Sequence, residues 1–465
     1  AQESPPFPWN DLLAWAQTAF GDPVAWPNAL TDFLTKHADR DAGLLALLQA
    51  AHGIVSGIEK NIPTPTSDYL KQDVTHMWLS SAFGYPMRNL LADPPQILTE
   101  SGWPQLVAEV RGVLDGLQGL GTSGAADVAT WQMWRDSASG PGSLMRAVLS
   151  STIAETRLPN NEVTLWDQSY VTAALFKSAV ASAVLDAGFS WSSRDVKQST
   201  HWRLLTIGMG TDHYEQRAVR VGDWVGARAE IDDFFREVCQ LVEVDLASGS
   251  LLYEDTSLRV FSFPDQHSSG GEAEALRHWL EEEIDGLARK HGLETPPACR
   301  ISEPTRTLVP MVNEARAARE ALAVPVHRTW GVSSAHESGH VCPVCLVRHN
   351  GSSKDKQRPC DACQRRRRGR LDDWLNGKLG SDTIWMEEVA DANARVALLT
   401  LSLDIESWLA GTQLDSLRTQ AISQWRTFNL GPTKPLDALQ PFASLVSYVR
   451  AKLGSYDKQD PVSYT

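Results

Sequence analysis

The residues with the clearest chemical capacity are four cysteines, arranged as Cys342-Pro343-Val344-Cys345 and Cys360-Asp361-Ala362-Cys363 with fourteen residues between the pairs. A Cys-x-x-Cys turn places two sulfurs on one side of a tight loop. A second such turn completes a tetrahedron of thiolates, the ligand set of a structural zinc ion. A catalytic zinc keeps one position open for water or substrate, and four cysteines leave none. The loop between the pairs is polar and cannot fold on burial alone, so metal is expected to supply its folding energy. His336, His340 and His349 stand near enough to replace a ligand, although the four cysteines suffice. The alternative is four unrelated thiols.

A basic run overlaps this element. Residues 354–370 hold eight basic and two acidic side chains, including Arg365, Arg366, Arg367, Arg368 and Arg370. Such a run is either a solvated charge cluster or a surface for RNA or a partner. The whole chain of 465 residues carries a formal charge of -14, which argues against a free-standing nucleic-acid binder but not against one local patch. This length predicts about two to four domains. Six cysteines, four of them in one metal pattern, fit a reducing cytoplasm, with Cys239 and Cys299 as ordinary core thiols. No apolar run reaches transmembrane length, so no membrane role is expected. The N-terminus shows neither a signal-peptide pattern nor an initiator methionine, which fits a chain that continues upstream.

The elements that must position these residues are read from periodicity. Residues 1–150 are helical in pattern, with apolar residues at helical spacing in 11–17, 41–48 and 106–114 and proline-rich breaks near 62–65 and 93–95. His37, His52 and His76 are scattered through them. No His-Asp dipeptide occurs anywhere, and His37-Ala38-Asp39 is the nearest approach to one. A helix is expected to start near Asp167 as a cap, with Ala173, Ala174, Phe176 and Val180 facing a core. Residues 202–208 read as a strand and 222–244 as a long helix with Trp224, Ala227, Ile231, Phe234, Phe235, Val238 and Leu241 on its apolar stripe. A hairpin across Asp255-Thr256, a helix over 272–291 and a closing strand at 298–301 complete a β-α-β-β-α-β order, the split βαβ of ferredoxin-like folds. A two-metal palm site needs acids at the end of the first strand and at the hairpin tip. The first strand has none and the tip is Tyr253-Glu254-Asp255, so a structural hairpin is expected. A short helix is expected at residues 371–375, after the second cysteine pair. Residues 395–406 read as a second buried strand that ends on Asp404 and Glu406, either a metal-binding pair or a cap on the next turn.

Three of these segments together resemble the large, polymerase/cyclase-like subunit of type III CRISPR effector complexes, with wording similar to its divergent Csx-type branch. They are Trp166-Asp167-Gln168-Ser169-Tyr170 with Thr172-Ala173, the split βαβ followed by the cysteine pairs, and the second strand ending on Asp404. Gln168 stands where that family's pattern has His. The resemblance covers about residues 150–430 and implies an α+β fold in four parts. These are a helical HD-like domain over 1–195, a ferredoxin-like palm over 196–305, a linker with a four-cysteine zinc element over 306–380, and the start of a second palm with a helical C-terminal part over 381–465. It further implies a cytoplasmic subunit that caps the 5′ end region of a CRISPR RNA, meets target RNA and other subunits, and acts mainly as scaffold and regulator, because the HD and cyclase motifs are degenerate or absent. Two alternatives stand beside it. One is an active cyclic oligoadenylate synthase, using Mg²⁺ and ATP with Asp404 and Glu406. The other is a stand-alone zinc-knuckle protein that binds nucleic acid through Arg365 to Arg370.

Overall fold

The computed structural model describes residues 42–60, 77–79, 88–123, 128–154, 160–161, 163–186, 188–265, 270–323 and 330–378. Asp404 and Glu406 lie outside the described residues, as do His37, His76 and all of the second palm anticipated at 381–465. The chain divides into two compact units; the first draws its described residues from 52–172 and the second from 42–51 and 173–378. The four-cysteine element lies in the same unit as the split βαβ.

In chain order the first elements are α1 (Gly43–Lys60), β1 (Trp78–Leu79), β2 (Arg88–Asn89), α2 (Trp103–Ser123), α3 (Val128–Ser139), α4 (Leu144–Ser150), β3 (Asn160–Asn161) and α5 (Leu165–Leu185). In the first unit the Trp134 indole of α3 donates to the Val113 carbonyl of α2 at 2.9 Å. Ser143 caps α4 by accepting from the Arg146 amide at 3.1 Å. The start of α5 is a reciprocal cap. The Thr164 amide donates to Asp167 Oδ2 at 2.9 Å, and the Asp167 amide to Thr164 Oγ1 at 3.2 Å. Asp167 thus closes the first turn from inside the helix, two residues after its start. Gln168, at the position of the family's His, is buried.

The second unit continues with α6 (Val196–Ser199), β4 (Trp202–Gly208), α7 (Thr211–Arg217), α8 (Val221–Gln240), β5 (Leu251–Glu254), β6 (Leu258–Pro264), α9 (Gly270–Lys290), β7 (Ala298–Ile301), α10 (Pro310–Ala323) and α11 (Asp361–Leu375). The four strands lie in the order β5-β6-β4-β7, and every pair is antiparallel. With helices crossing from β4 to β5 and from β6 to β7, this is a split βαβ. Strand side chains alternate between faces. Leu205 and Ile207 of β4 and Phe261 and Phe263 of β6 pack with Ile231, Phe234 and Val238 of α8 and Leu280, Ile284 and Ala288 of α9. On the opposite face Leu258 packs with Ala315 and Ala318 of α10. The C-terminal half of α5 also meets this sheet: the Trp202 indole donates to the Leu175 carbonyl at 2.6 Å and Ser178 Oγ to Ser262 Oγ at 2.9 Å. Both faces of β4 and β6 are covered, so these strands read as nearly continuous apolar runs.

Three local expectations are corrected. The buried face of α5 is Ala174, Leu175, Ser178, Ala179 and Ala183, while Ala173 is exposed, because it falls outside the helical stripe those residues share. Trp224 is exposed and lies off the buried stripe of α8. The long helix also changes form at its end: α8 stops at Gln240 and a π-turn spans Leu241–Asp245. That wider turn brings Glu243 Oε1 within 2.7 Å of the Leu251 amide, tying the helix end to the start of β5.

Helix α11 starts inside the second cysteine pair and lies along α8. The approach is close enough that a Cβ at Gly226 would overlap the Arg366 carbonyl, and one at Gly222 would stand 3.1 Å from Arg367 Cγ. At Gly226 glycine is needed because backbone meets backbone, whereas at Gly222 an added Cβ would press on the Arg367 side chain. Gly226→Ala is expected to destabilise this unit by about 1–3 kcal/mol, seen as a lower thermal midpoint. Gly286→Ala in α9, where nothing lies within 4 Å of the added Cβ, is expected to be neutral or stabilising by up to about 1 kcal/mol.

Candidate metal centre

The four cysteine sulfurs lie within 4.8 Å of one another, and all four residues are buried. Cys345 Sγ and Cys360 Sγ are 3.8 Å apart. A regular tetrahedron with metal–sulfur bonds of about 2.3 Å has edges of about 3.8 Å, so the spacing fits a tetrahedral ion such as zinc. Among the described residues this is the one group of three or more His, Cys, Asp or Glu gathered closely enough to hold an ion. Such an ion would be held by Cys342, Cys345, Cys360 and Cys363 and would supply a structural cross-link.

Local geometry explains how each pair forms. The Cys342 amide donates to the Arg348 carbonyl at 2.8 Å, and the Leu346 amide to the Cys342 carbonyl at 3.0 Å. Leu346, at φ 55°, takes the left-handed conformation that reverses the chain after the first pair. The Cys360 amide donates to Cys342 Sγ at 3.2 Å, and the chain then enters α11. The polar loop between the pairs is organised from its centre by the fully buried Asn350. Its Nδ2 donates to the carbonyls of Asp355 (2.8 Å) and Arg358 (3.0 Å), and its Oδ1 accepts from the Ser352 amide at 2.9 Å. The nearby histidines are engaged elsewhere. His336 meets Asp361 Oδ2, His340 the Ser353 carbonyl and His349 the Gly339 carbonyl, each at 3.1 Å.

Crowding four sulfurs sets up strong mutual effects. Hydrogen bonds from Cys345, Cys360 and Cys363 draw the Cys342 thiol far below its ordinary range, while contacts with Cys342, Cys345 and Cys360 push Cys363 far above it. Four sulfurs at this spacing can all be thiolates only around a cation.

The arginine run does not form a single outward face. Arg366 is buried, and its Nη1 lies 2.9 Å from both carboxylate oxygens of Glu294. Arg367 grips Asp223 with a bidentate pair, both contacts at 2.7 Å. Asp223 also accepts the amides of Val219 (3.2 Å) and Arg220 (3.0 Å), closing the start of α8. Of the proposed nucleic-acid contacts, Arg366 and Arg367 are thus internal fasteners. Arg365 and Arg368 are exposed, on a stripe that also carries Asp361 and Asp372, and of Arg370 only the backbone is described. The run lies inside one continuous helix, Asp361–Leu375, so the short helix anticipated at 371–375 is only its last part.

Sequence reasoning missed Glu294, Arg348 and Tyr214. Arg348 and Glu294 form a buried ion pair, and Arg348 also donates to the Gly292 carbonyl at 2.7 Å. Burial works against the Arg348 charge, but Glu294 outweighs it and holds the guanidinium more firmly protonated than usual. Burial, and next the Glu294 charge, push the Tyr214 phenol up to about 12. One signal was available: an arginine follows each cysteine pair at the same offset, Arg348 after Cys345 and Arg366 after Cys363.

The hairpin tip is the other place where the residue types suggest chemistry. Asp255 Oδ1 accepts the amides of Ser257 (2.7 Å) and Leu258 (2.8 Å), while Oδ2 accepts from the Tyr253 hydroxyl at 3.0 Å and pairs with Arg319. Its carboxylate oxygens are thereby engaged in closing the turn. Burial alone would raise its pKa, but these hydrogen bonds outweigh burial and hold it at about 2. Beside the tip a cavity of about 970 Å³ opens, lined by Thr211, His213, Ser257, Thr295, Arg300 and Arg319. Its two arginines are paired with Glu314 and Asp255.

No protein-family model and no curated protein matches the chain in sequence. No described helix is long and apolar enough to cross a membrane.

Elemental analysis is expected to find one metal ion per chain. Cys345→Ala should lose it, whereas His336→Ala should keep it. Asp255 is depressed in the folded state, so its contribution is present above pH about 4 and fades as pH falls toward about 2. Asp255→Asn is expected to cost about 1–2 kcal/mol at neutral pH and to flatten that part of the acid-unfolding profile.

Proposed function

We propose that this chain is the large, polymerase-like subunit of a type III CRISPR effector complex and that it serves there as scaffold and regulator. The observation that carries the proposal is a split βαβ whose first helix, α8, holds a four-cysteine element through close backbone packing at Gly222 and Gly226. That combination follows the segment order on which the family resemblance rests. The metal in this reading is a structural zinc ion, since four thiolates leave no open position for substrate. At the hairpin tip Asp255 is bound by Ser257, Tyr253 and Arg319, which favours a supporting rather than a catalytic hairpin. Partners in this reading are a CRISPR RNA, its target RNA and the neighbouring subunits. Any Mg²⁺ and ATP chemistry would fall to Asp404 and Glu406.

A second reading keeps the zinc element and lets it bind nucleic acid directly. The exposure of Arg365 and Arg368, with Lys354, Lys356 and Arg358 also exposed, favours it. Asp361 and Asp372 on the same stripe of α11 weaken it.

Purification of the tagged chain from its native source separates the two. The scaffold proposal expects short RNAs with a shared, repeat-derived 5′ end, together with several partner subunits. A lone chain without RNA would overturn it. In the second reading the isolated chain binds RNA in a salt-sensitive way, and Arg365→Gln with Arg368→Gln lowers the salt slope by about 2.

A further inference from the structure

Both halves of the metal element reach for the same carboxylate. Arg348 stands three residues after Cys345 and Arg366 three residues after Cys363. Their guanidinium groups converge on Glu294 and on the carbonyl of Gly292, with Arg366 Nη2 at 2.6 Å and Arg348 Nη2 at 2.7 Å from that carbonyl. Side-chain exposure is 4% for Arg348, 7% for Arg366 and 1% for Glu294. The acceptors are set by the turn between α9 and β7. Gly292 has φ +62°, which ends α9 and turns the chain. The Tyr214 hydroxyl accepts the amides of Glu294 (2.8 Å) and Thr295 (3.3 Å).

The charges are complementary. A divalent ion held by four thiolates carries two net negative charges. The Arg348–Glu294–Arg366 group carries one net positive charge. Arg217, whose Nη1 donates to the Cys345 carbonyl at 3.1 Å, carries another. If the two cysteine pairs separated, at least one arginine would leave Glu294, and a buried carboxylate stripped of a partner is strongly destabilising.

We infer that Glu294 is a positioning residue for the metal centre: by drawing Arg348 and Arg366 together it sets the two cysteine pairs at the separation a tetrahedral ion needs. Metal binding and the ordering of residues 292–295 are then one coupled equilibrium. This rests on the four cysteines being a metal site.

The first test is hydrogen exchange on the full chain, metal-loaded and after chelation. Exchange should rise at least about tenfold at the Glu294 and Thr295 amides and across residues 211–217, as well as around the cysteines. A change confined to 340–363 would overturn the inference. The second test uses cobalt(II)-loaded Glu294→Gln. It should keep one ion and an unshifted four-thiolate spectrum, yet release the ion to a chelator about tenfold faster than the parent chain. Arg365→Gln, altered on the exposed side of the same helix, should release it at the parent rate. Equal release from Glu294→Gln and the parent chain would refute the coupling. Should Glu294→Gln fail to fold, the exchange experiment on the unaltered chain decides. A parent chain that binds no metal removes the metal reading itself, and this inference with it.

Discussion

A single buried carboxylate, Glu294, ties together the part of this protein where the sheet and the four-cysteine element meet. Taking a carboxylate out of water costs several kcal/mol, and that cost is offset only if the charge is met and hydrogen-bonded on all sides. Two guanidinium forks meet it here, one from each cysteine pair, and the Tyr214 hydroxyl fixes the backbone that carries it. Glu294 thus links the two cysteine pairs to each other and to the turn between α9 and β7. Asp223 repeats the device at the start of α8, where it takes Arg367.

The rest of the interface is made by the absence of side chains. Gly222 and Gly226 bring the backbone of α11 against α8, and that approach carries Arg366 and Arg367 into reach of their acids. Close packing and charge pairing are therefore mutually dependent. A larger residue on α8 would withdraw the arginines, and an unpaired arginine would push the helices apart. The four-cysteine element is in this sense an extension of the sheet unit's core.

The hairpin tip, where a polymerase-like domain would present acids to metal ions, uses Asp255 to close its own turn and to hold Arg319 of α10. The arginine run, which in isolation reads as a nucleic-acid surface, uses Arg366 and Arg367 internally. Both observations favour support over chemistry, in keeping with the scaffold role proposed above.

Local signals were legible from the residues alone. The cysteine spacing, the strand over 202–208, the closing strand at 298–301 and the hairpin across Asp255 each rest on neighbours in sequence, where period and turn chemistry act directly. The long-range partners were not legible. Glu294 lies 54 residues from Arg348 and 72 from Arg366, and Asp223 lies 144 residues from Arg367; nothing in their neighbourhoods marks these acids as buried. The sequence determined that four arginines in a row would follow the second cysteine pair. Only the tertiary structure decided which of them face inward, because successive residues on a helix point about 100° apart and the phase of α11 against α8 is set by where two glycines allow contact.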